Sequence, residues 1–172
     1  MSYNEPNITI QTHSPEETTQ LGTCIGNHLK PGHILALIGN LGSGKTCMSR
    51  GIAKGMNIST QYHIHSPAFD LIHEHPGSIP MYHMDFYRLD EFSREDELWV
   101  SEYIHLKKGV CVIEWADKFI LDILDAYLKI QFTASDNFET HRSITFTAIG
   151  TQYQSVIESM TATLNERMNV KL

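Results

Sequence analysis

The sequence predicts an α/β fold: a single domain in which a mixed, mostly parallel central sheet is flanked by helices and carries an antiparallel hairpin at one edge. Three observations predict it. The apolar run Ile34-Leu35-Ala36-Leu37-Ile38 leads directly into Gly39-Asn40-Leu41-Gly42-Ser43-Gly44-Lys45-Thr46, which reads G-x-x-x-x-G-K-[ST], and the residues after it carry Met48, Ile52, Ala53 and Met56 at helical spacing. Two further apolar runs, Met81-Tyr82-His83-Met84 and Val110-Cys111-Val112-Ile113, each end in an acid, Asp85 and Glu114. Alternating polar and apolar residues over 127–134 and 142–148 read as a hairpin pair. A buried strand, a glycine-rich loop and a helix in that order are the nucleating unit of a P-loop NTPase fold.

The elements follow in order. Residues 7–12 alternate like an edge strand, and Ser14-Pro15-Glu16-Glu17 supplies an N-cap, a proline at the first helical position and an acid at the third, predicting a helix to about residue 29. Lys30-Pro31-Gly32 breaks it before the strand into the glycine loop, whose helix ends near Gly55. Residues 61–67 read as a loop. Runs over 69–75 and 80–86, separated by Pro76-Gly77, read as two strands, the second leading into Asp85. Residues 90 to about 105 are helical and acidic, and 109–115 form a buried strand. From Thr151 onward Tyr153, Val156, Ile157, Met160, Leu164 and Met168 share one face of an amphipathic helix that packs on the sheet.

Composition bounds the function. A chain of 172 residues, 41% hydrophobic and 19% charged, suits one compact domain over residues 1–172. No stretch approaches the roughly 18 apolar residues of a membrane span, and the start lacks a secretory pattern, which predicts a cytoplasmic protein without a membrane role. Cys24, Cys47 and Cys111 form no C-x-x-C pair, so neither a disulfide framework nor a zinc knuckle is expected. A net charge of −7 and a pI near 5.7 oppose direct binding to DNA or RNA, which depends on clustered Lys and Arg.

Each residue of the loop has a chemical task. Glycines let several backbone N–H groups turn toward one cluster of phosphate oxygens, Lys45 brings an ammonium to the β and γ phosphates, Thr46 offers a hydroxyl to Mg²⁺, and the following helix adds its positive dipole end. Magnesium bridging phosphates also wants carboxylate oxygens, and an attacking water needs orientation. Asp85 and Glu114, each at the carboxyl end of a strand, are the candidates, because ligands collect at that edge of such sheets.

Taken together, Gly39 to Thr46, Ser66-Pro67-Ala68-Phe69, His83-Met84-Asp85-Phe86-Tyr87-Arg88-Leu89 and Ile113-Glu114-Trp115, in this order and at these separations, resemble the bacterial TsaE (YjeE) family over about residues 14–142. The resemblance implies a small P-loop ATPase, using ATP and Mg²⁺, required for threonylcarbamoylation of the adenosine beside the anticodon of certain tRNAs. It implies TsaD and TsaB as protein partners, with tRNA reached only through that complex. It further implies Thr46 and Glu114 as Mg²⁺ ligands, Asp85 as the catalytic or water-orienting acid, and Trp115 near the nucleotide or a partner face. Ser14 and Pro15 fall where the family's adenine sits. The chain departs from the family at Ala68, usually Thr, at Ala116, usually Pro, and at Trp99, usually Gly.

Other clusters are weaker. His63-x-His65 and His73-x-His75 each place two imidazoles on one face of an extended chain, but no Cys or carboxylate completes a tetrahedral metal set. Cys47 lies in the first turn after the loop, where a helix dipole can activate a thiol or the residue simply packs. The acids Glu91, Glu95, Asp96, Glu97 and Glu102 read as a solvated face. Two alternatives to a complex-coupled ATPase stay open: a small P-loop kinase, disfavoured by dispersed arginines at 50, 88, 94, 142 and 167, and a nucleotide-regulated binding module in which hydrolysis is incidental.

Overall fold

A computed structural model describes residues 6–59, 64–65, 70–135 and 139–169. Seven strands form one sheet in the order β1-β7-β6-β2-β5-β4-β3, with β1 Asn7–Thr12, β2 Ile34–Ile38, β3 Ile72–His75, β4 Met81–Asp85, β5 Val110–Glu114, β6 Tyr127–Ala134 and β7 Arg142–Ile149. The sheet is mixed. Its four central strands, β4, β5, β2 and β6, run parallel, while β3, β7 and β1 join antiparallel at the two sides. The β6–β7 hairpin forms as the alternation predicts, and β1 closes the edge against β7. The segment 66–69, which carries part of the family resemblance, and His63 lie outside the described residues.

The central strands read as unbroken apolar runs because both faces are covered. Leu35 and Leu37 of β2 point toward a cluster with Val112, Ile130 and Phe146, while Ile34 and Ala36 point to the opposite cluster with Met84, Ile113 and Val100. Helices α1, Pro15–Gly26, α2, Lys45–Gly55, and α4, Gln154–Asn169, contribute to the first cluster, and α3, Arg94–Leu106, to the second. Tyr153, Val156, Ile157 and Met160 are buried, as the amphipathic pattern requires; the Met168 side chain lies outside the described residues.

Several boundaries differ from the sequence reading: β3 starts at Ile72 rather than 69, α4 at Gln154 after a 3-10 turn over Thr151–Tyr153, and two more have local reasons. Helix α3 starts at Arg94 rather than near 90, because Ser93 and Asp96 form a capping box: Ser93 Oγ accepts from Asp96 N at 3.1 Å and Asp96 Oδ2 accepts from Ser93 N at 3.0 Å. Helix α1 ends at Gly26, and residues 27–29 tighten into turns, with His28 N donating to Ile25 O at 2.9 Å.

Helices α1 and α2 cross in backbone contact. Glycines recur four apart on both, Gly22 and Gly26 on one, Gly51 and Gly55 on the other, and a Cβ at Gly51 would lie 2.1 Å from Thr19 O. Small residues at this spacing let two backbones approach where any side chain would separate them. Gly51→Ala therefore destabilises the protein by about 1–3 kcal/mol through overpacking, although Ala favours an isolated helix by about 1 kcal/mol. Urea unfolding of the two proteins measures this; an equal or higher midpoint for the variant would contradict the close crossing.

Candidate functional site: a phosphate loop ringed by buried charge

The turn between β2 and α2 holds the sequence-predicted loop. Gly42 and Gly44 adopt positive φ of 73° and 105°, angles that a side chain resists, and the second one opens α2. Glu114 ends β5, the strand beside β2, and Asp85 ends β4, the strand beyond it; the two acids stand as register partners across β4 and β5, while Leu37 of β2 pairs with Glu114. Loop, both acids and Trp115 line one cleft of about 240 Å³. The structure thus brings Leu41, Gly42, Ser43, Gly44, Lys45, Thr46, Asp85, Glu114 and Trp115 together, with Leu41 exposed; Gly39 and Asn40 line the adjoining hollow.

Glu114, only 2% exposed, is the most constrained of these groups. Its Oε2 accepts from Thr46 Oγ1 at 2.9 Å, and its Oε1 accepts from Ser49 Oγ and His83 Nε2, both at 2.9 Å. Burial pushes the carboxyl up, but the hydrogen bond and charge of His83, with the Ser49 and Thr46 hydroxyls, outweigh it and hold the group below its ordinary value. Asp85 Oδ1 accepts from Tyr87 N at 2.8 Å, an Asx turn that fixes the carboxylate at the mouth of the cleft.

Lys45 is 4% exposed. Its Nζ donates to Gly39 O at 2.6 Å and Asn40 O at 2.9 Å, and lies 3.9 Å from the centre of the Trp115 ring. Burial lowers the ammonium's pKa, and the charges of Glu114, Asp85 and Asp117 counter that. Trp115 itself takes a left-handed backbone, φ 58°, unusual for a bulky residue, and packs against Tyr87 with ring centres 4.9 Å apart.

Residues that the sequence reading left without a role complete the site. Arg142, the first residue of β7, donates from Nε to Ser43 O at 2.9 Å and from Nη2 to Gly42 O at 3.0 Å, while Nη1 holds Glu139 O and His141 O. All three guanidinium nitrogens are thus spent on backbone carbonyls. Ser49 was findable, lying four residues after Lys45 on one face of α2; Arg142 had no local signal, being about a hundred residues from the loop it grips. A second hollow, about 210 Å³, lies beside the loop between Pro15, Thr18, Cys47 and Thr140. Cys47 is half-buried and borders both hollows, so it neither packs fully nor stands open. A hollow of about 410 Å³ at the opposite end of the sheet, lined by His33, Ile104 and Leu124, contains none of the predicted site residues.

His65, His73, His75 and His83 form a row of rings. Ring centres of His65 and His73 are 5.5 Å apart, and those of His73, His75 and His83 follow at 6.2 Å each; no cluster of metal-binding geometry occurs among the described residues.

A parallel core whose central strand enters a glycine loop and helix, with acids ending the next two strands on one side, defines a P-loop NTPase fold. The profile of the family described as threonylcarbamoyl adenosine biosynthesis protein TsaE matches residues 12–144. The chain is 37% identical over 151 residues, 87% of its length and 91% of the relative's, to the tRNA threonylcarbamoyladenosine biosynthesis protein TsaE of Bacillus subtilis. It is 35% identical over 134 residues to the protein of that name in Nostoc sp., covering 76% of the chain and 80% of the relative. The crystal structure of YdiB from Bacillus subtilis superimposes with a TM-score of 0.76 at 33% identity, covering 94% of this chain and 98% of that one. The chain belongs to the TsaE family.

Two outcomes follow from this geometry. Arg142→Ala removes charge-assisted bonds of about 1.5–3 kcal/mol each from the loop carbonyls, so amide hydrogen exchange across 39–46 accelerates at least about tenfold; unchanged exchange would show that the clamp does not order the loop. His75 is displaced from 6.5 down to about 4 by burial and by the neighbouring His83, His73 and His65. A depressed folded-state pKa gives stability that is complete above the unfolded value and is lost as pH falls through the folded one. The unfolding free energy therefore drops between pH 6.5 and about 4, and His75→Asn flattens the curve in that window.

Proposed function

We propose that this member of the tRNA threonylcarbamoyladenosine biosynthesis family is the ATP-binding and ATP-hydrolysing component of that machinery, acting in the cytoplasm with the TsaD transferase and TsaB and meeting tRNA only through them. The observation that carries the reading is the convergence of Lys45, Thr46, Glu114 and Asp85 on the loop cleft. Phosphate oxygens would draw the Lys45 ammonium from the Gly39 and Asn40 carbonyls, and the loop N–H groups would complete the cradle. The second hollow, bordered by Pro15 and Thr18, would receive the base.

The donor set suits magnesium, since a hydroxyl, a carboxylate and a second carboxylate are hard oxygen ligands and no soft ligand stands among them. Thr46 and Glu114 would hold the ion, which supplies neutralisation of the phosphate charge. Asp85, anchored by Tyr87 N, would orient the attacking water and accept its proton. Trp115 would cover the phosphates from the side now facing Lys45. A kinase role is disfavoured, because Arg142, the arginine at the loop, directs four of its five N–H donors to backbone carbonyls and keeps a single one for an acceptor phosphate. No helix among the described residues is long and apolar enough to cross a membrane.

Phosphate release from ATP, measured for the chain alone and with a TsaB–TsaD pair, tests the proposal. Stimulation by the pair is expected, and Lys45→Ala abolishes it by removing the phosphate contact. Asp85→Asn lowers turnover about a hundredfold or more while leaving nucleotide affinity within a few-fold. Normal turnover in Asp85→Asn would remove its assigned role, and binding without stimulation would favour a switch that does not depend on hydrolysis.

A further inference from the structure

Glu114 divides its two oxygens between two kinds of partner. Oε1 accepts from Ser49 on α2 and from His83 on β4, both at 2.9 Å, so it is gripped from two walls. Oε2 accepts from Thr46 alone among the described residues. A cation held by Thr46 and Glu114 would displace that one contact and leave the other two standing.

His83 has no other polar business. Its side chain is fully buried, its Nδ1 has no hydrogen-bond partner among the described residues, and its Nε2 meets Glu114. Alternation along β4 places Met81 and His83 on the α2 side of the sheet and Tyr82 and Met84 on the other. Register then sets His83 opposite Val112 and beside His73, and the imidazole stands 6.2 Å from that of His75. A ring packed in this way cannot swing. An ionised carboxylate only accepts, so Nε2 carries the proton in this contact. In a core position where an aliphatic side chain would bury more cheaply, the one thing an imidazole adds is a fixed donor.

We propose that His83 is a positioning residue for the metal-binding carboxylate: its Nε2–H immobilises Glu114 Oε1 and so presents Oε2 to the divalent cation that accompanies the nucleotide at Thr46. This rests on the reading of Thr46 and Glu114 as cation ligands. It inverts the usual outer-sphere arrangement, in which a carboxylate orients a ligating histidine.

The test is the linkage between Mg²⁺ and nucleotide, read by calorimetric titration of the full chain with the non-hydrolysable analogue AMP-PNP, in EDTA and in excess Mg²⁺. Wild type shows a tightening factor. In His83→Leu that factor falls about tenfold, the size typical of losing a residue behind a metal ligand, while affinity in EDTA stays within about twofold. His83→Gln, whose amide nitrogen reaches about as far as Nε2, recovers most of the factor. An unchanged factor in folded His83→Leu, an equal loss in EDTA, or a glutamine no better than leucine would each overturn the proposal. Should the leucine variant fail to fold, His83→Asn replaces it: its shorter amide loses the factor that glutamine keeps, and equal factors in the two amides overturn the proposal. Absence of any Mg²⁺ effect in wild type would instead refute the cation site itself, and the proposal with it.

Discussion

One buried carboxylate sets the terms for the rest of the site. An ionised group at 2% exposure would cost several kcal/mol without compensation, so Glu114 is sustainable only where donors already wait. Three donors come from two elements: Thr46 and Ser49 from α2, and His83 from β4. The end of β5, the first turn of α2 and the middle of β4 are thereby tied to one point. Because Thr46 follows the loop directly, that point also fixes where the loop ends. Arg142 fixes its middle through Gly42 and Ser43.

Charge balance explains how the loop tolerates its own buried cation. Lys45 has lost most of its water, yet Glu114, Asp85 and Asp117 keep its ammonium favourable, and Gly39 O and Asn40 O accept its protons. Trp115 gives the remaining face an electron-rich ring, at the cost of a left-handed backbone worth about 1–3 kcal/mol of strain. Strain of that kind, one residue after the buried acid, persists where the Tyr87 ring and the Lys45 ammonium both pack against the indole. Phe86, between Asp85 and Tyr87, is fully buried against Phe92 and Phe119, whose rings stack 5.3 Å apart, and this anchors the segment that carries Asp85.

What the chain disclosed before folding depended on range. The glycine loop, its strand and its helix lie within about two dozen consecutive residues, so their pattern is local and legible. Asp85 and Glu114 were legible because each ends an apolar run, and a strand's end is visible without knowing its neighbours. His83 was not: one position earlier or later it would face the other cluster, and only the β4–β5 register decides that it meets Glu114. Arg142 depends on the hairpin turning the chain back onto residue 42. The glycine pairs of α1 and α2 were present as G-x-x-x-G in both helices, but a spacing of small residues states no partner until two helices are known to cross. The start of α3 was a local signal simply overlooked, Ser93-x-x-Asp96.

The glycine crossing has a consequence for the ligand. Helix α1 contributes Pro15 and Thr18 to the hollow assigned to the base, and α2 grows out of the loop assigned to the phosphates. Where long side chains separate two helices, their distance can relax as rotamers change. Here Gly22 and Gly51 bring backbone against backbone, and the packed atoms have no rotamers to change. The separation of the two subsites is therefore set by main-chain contact, and Thr18, whose methyl would stand 3.6 Å from a Cβ at Gly44, marks the seam where they meet. A ligand spanning both hollows meets a gauge of nearly fixed length, so the adjustable part of the site is the side chain left exposed at its open end, Leu41.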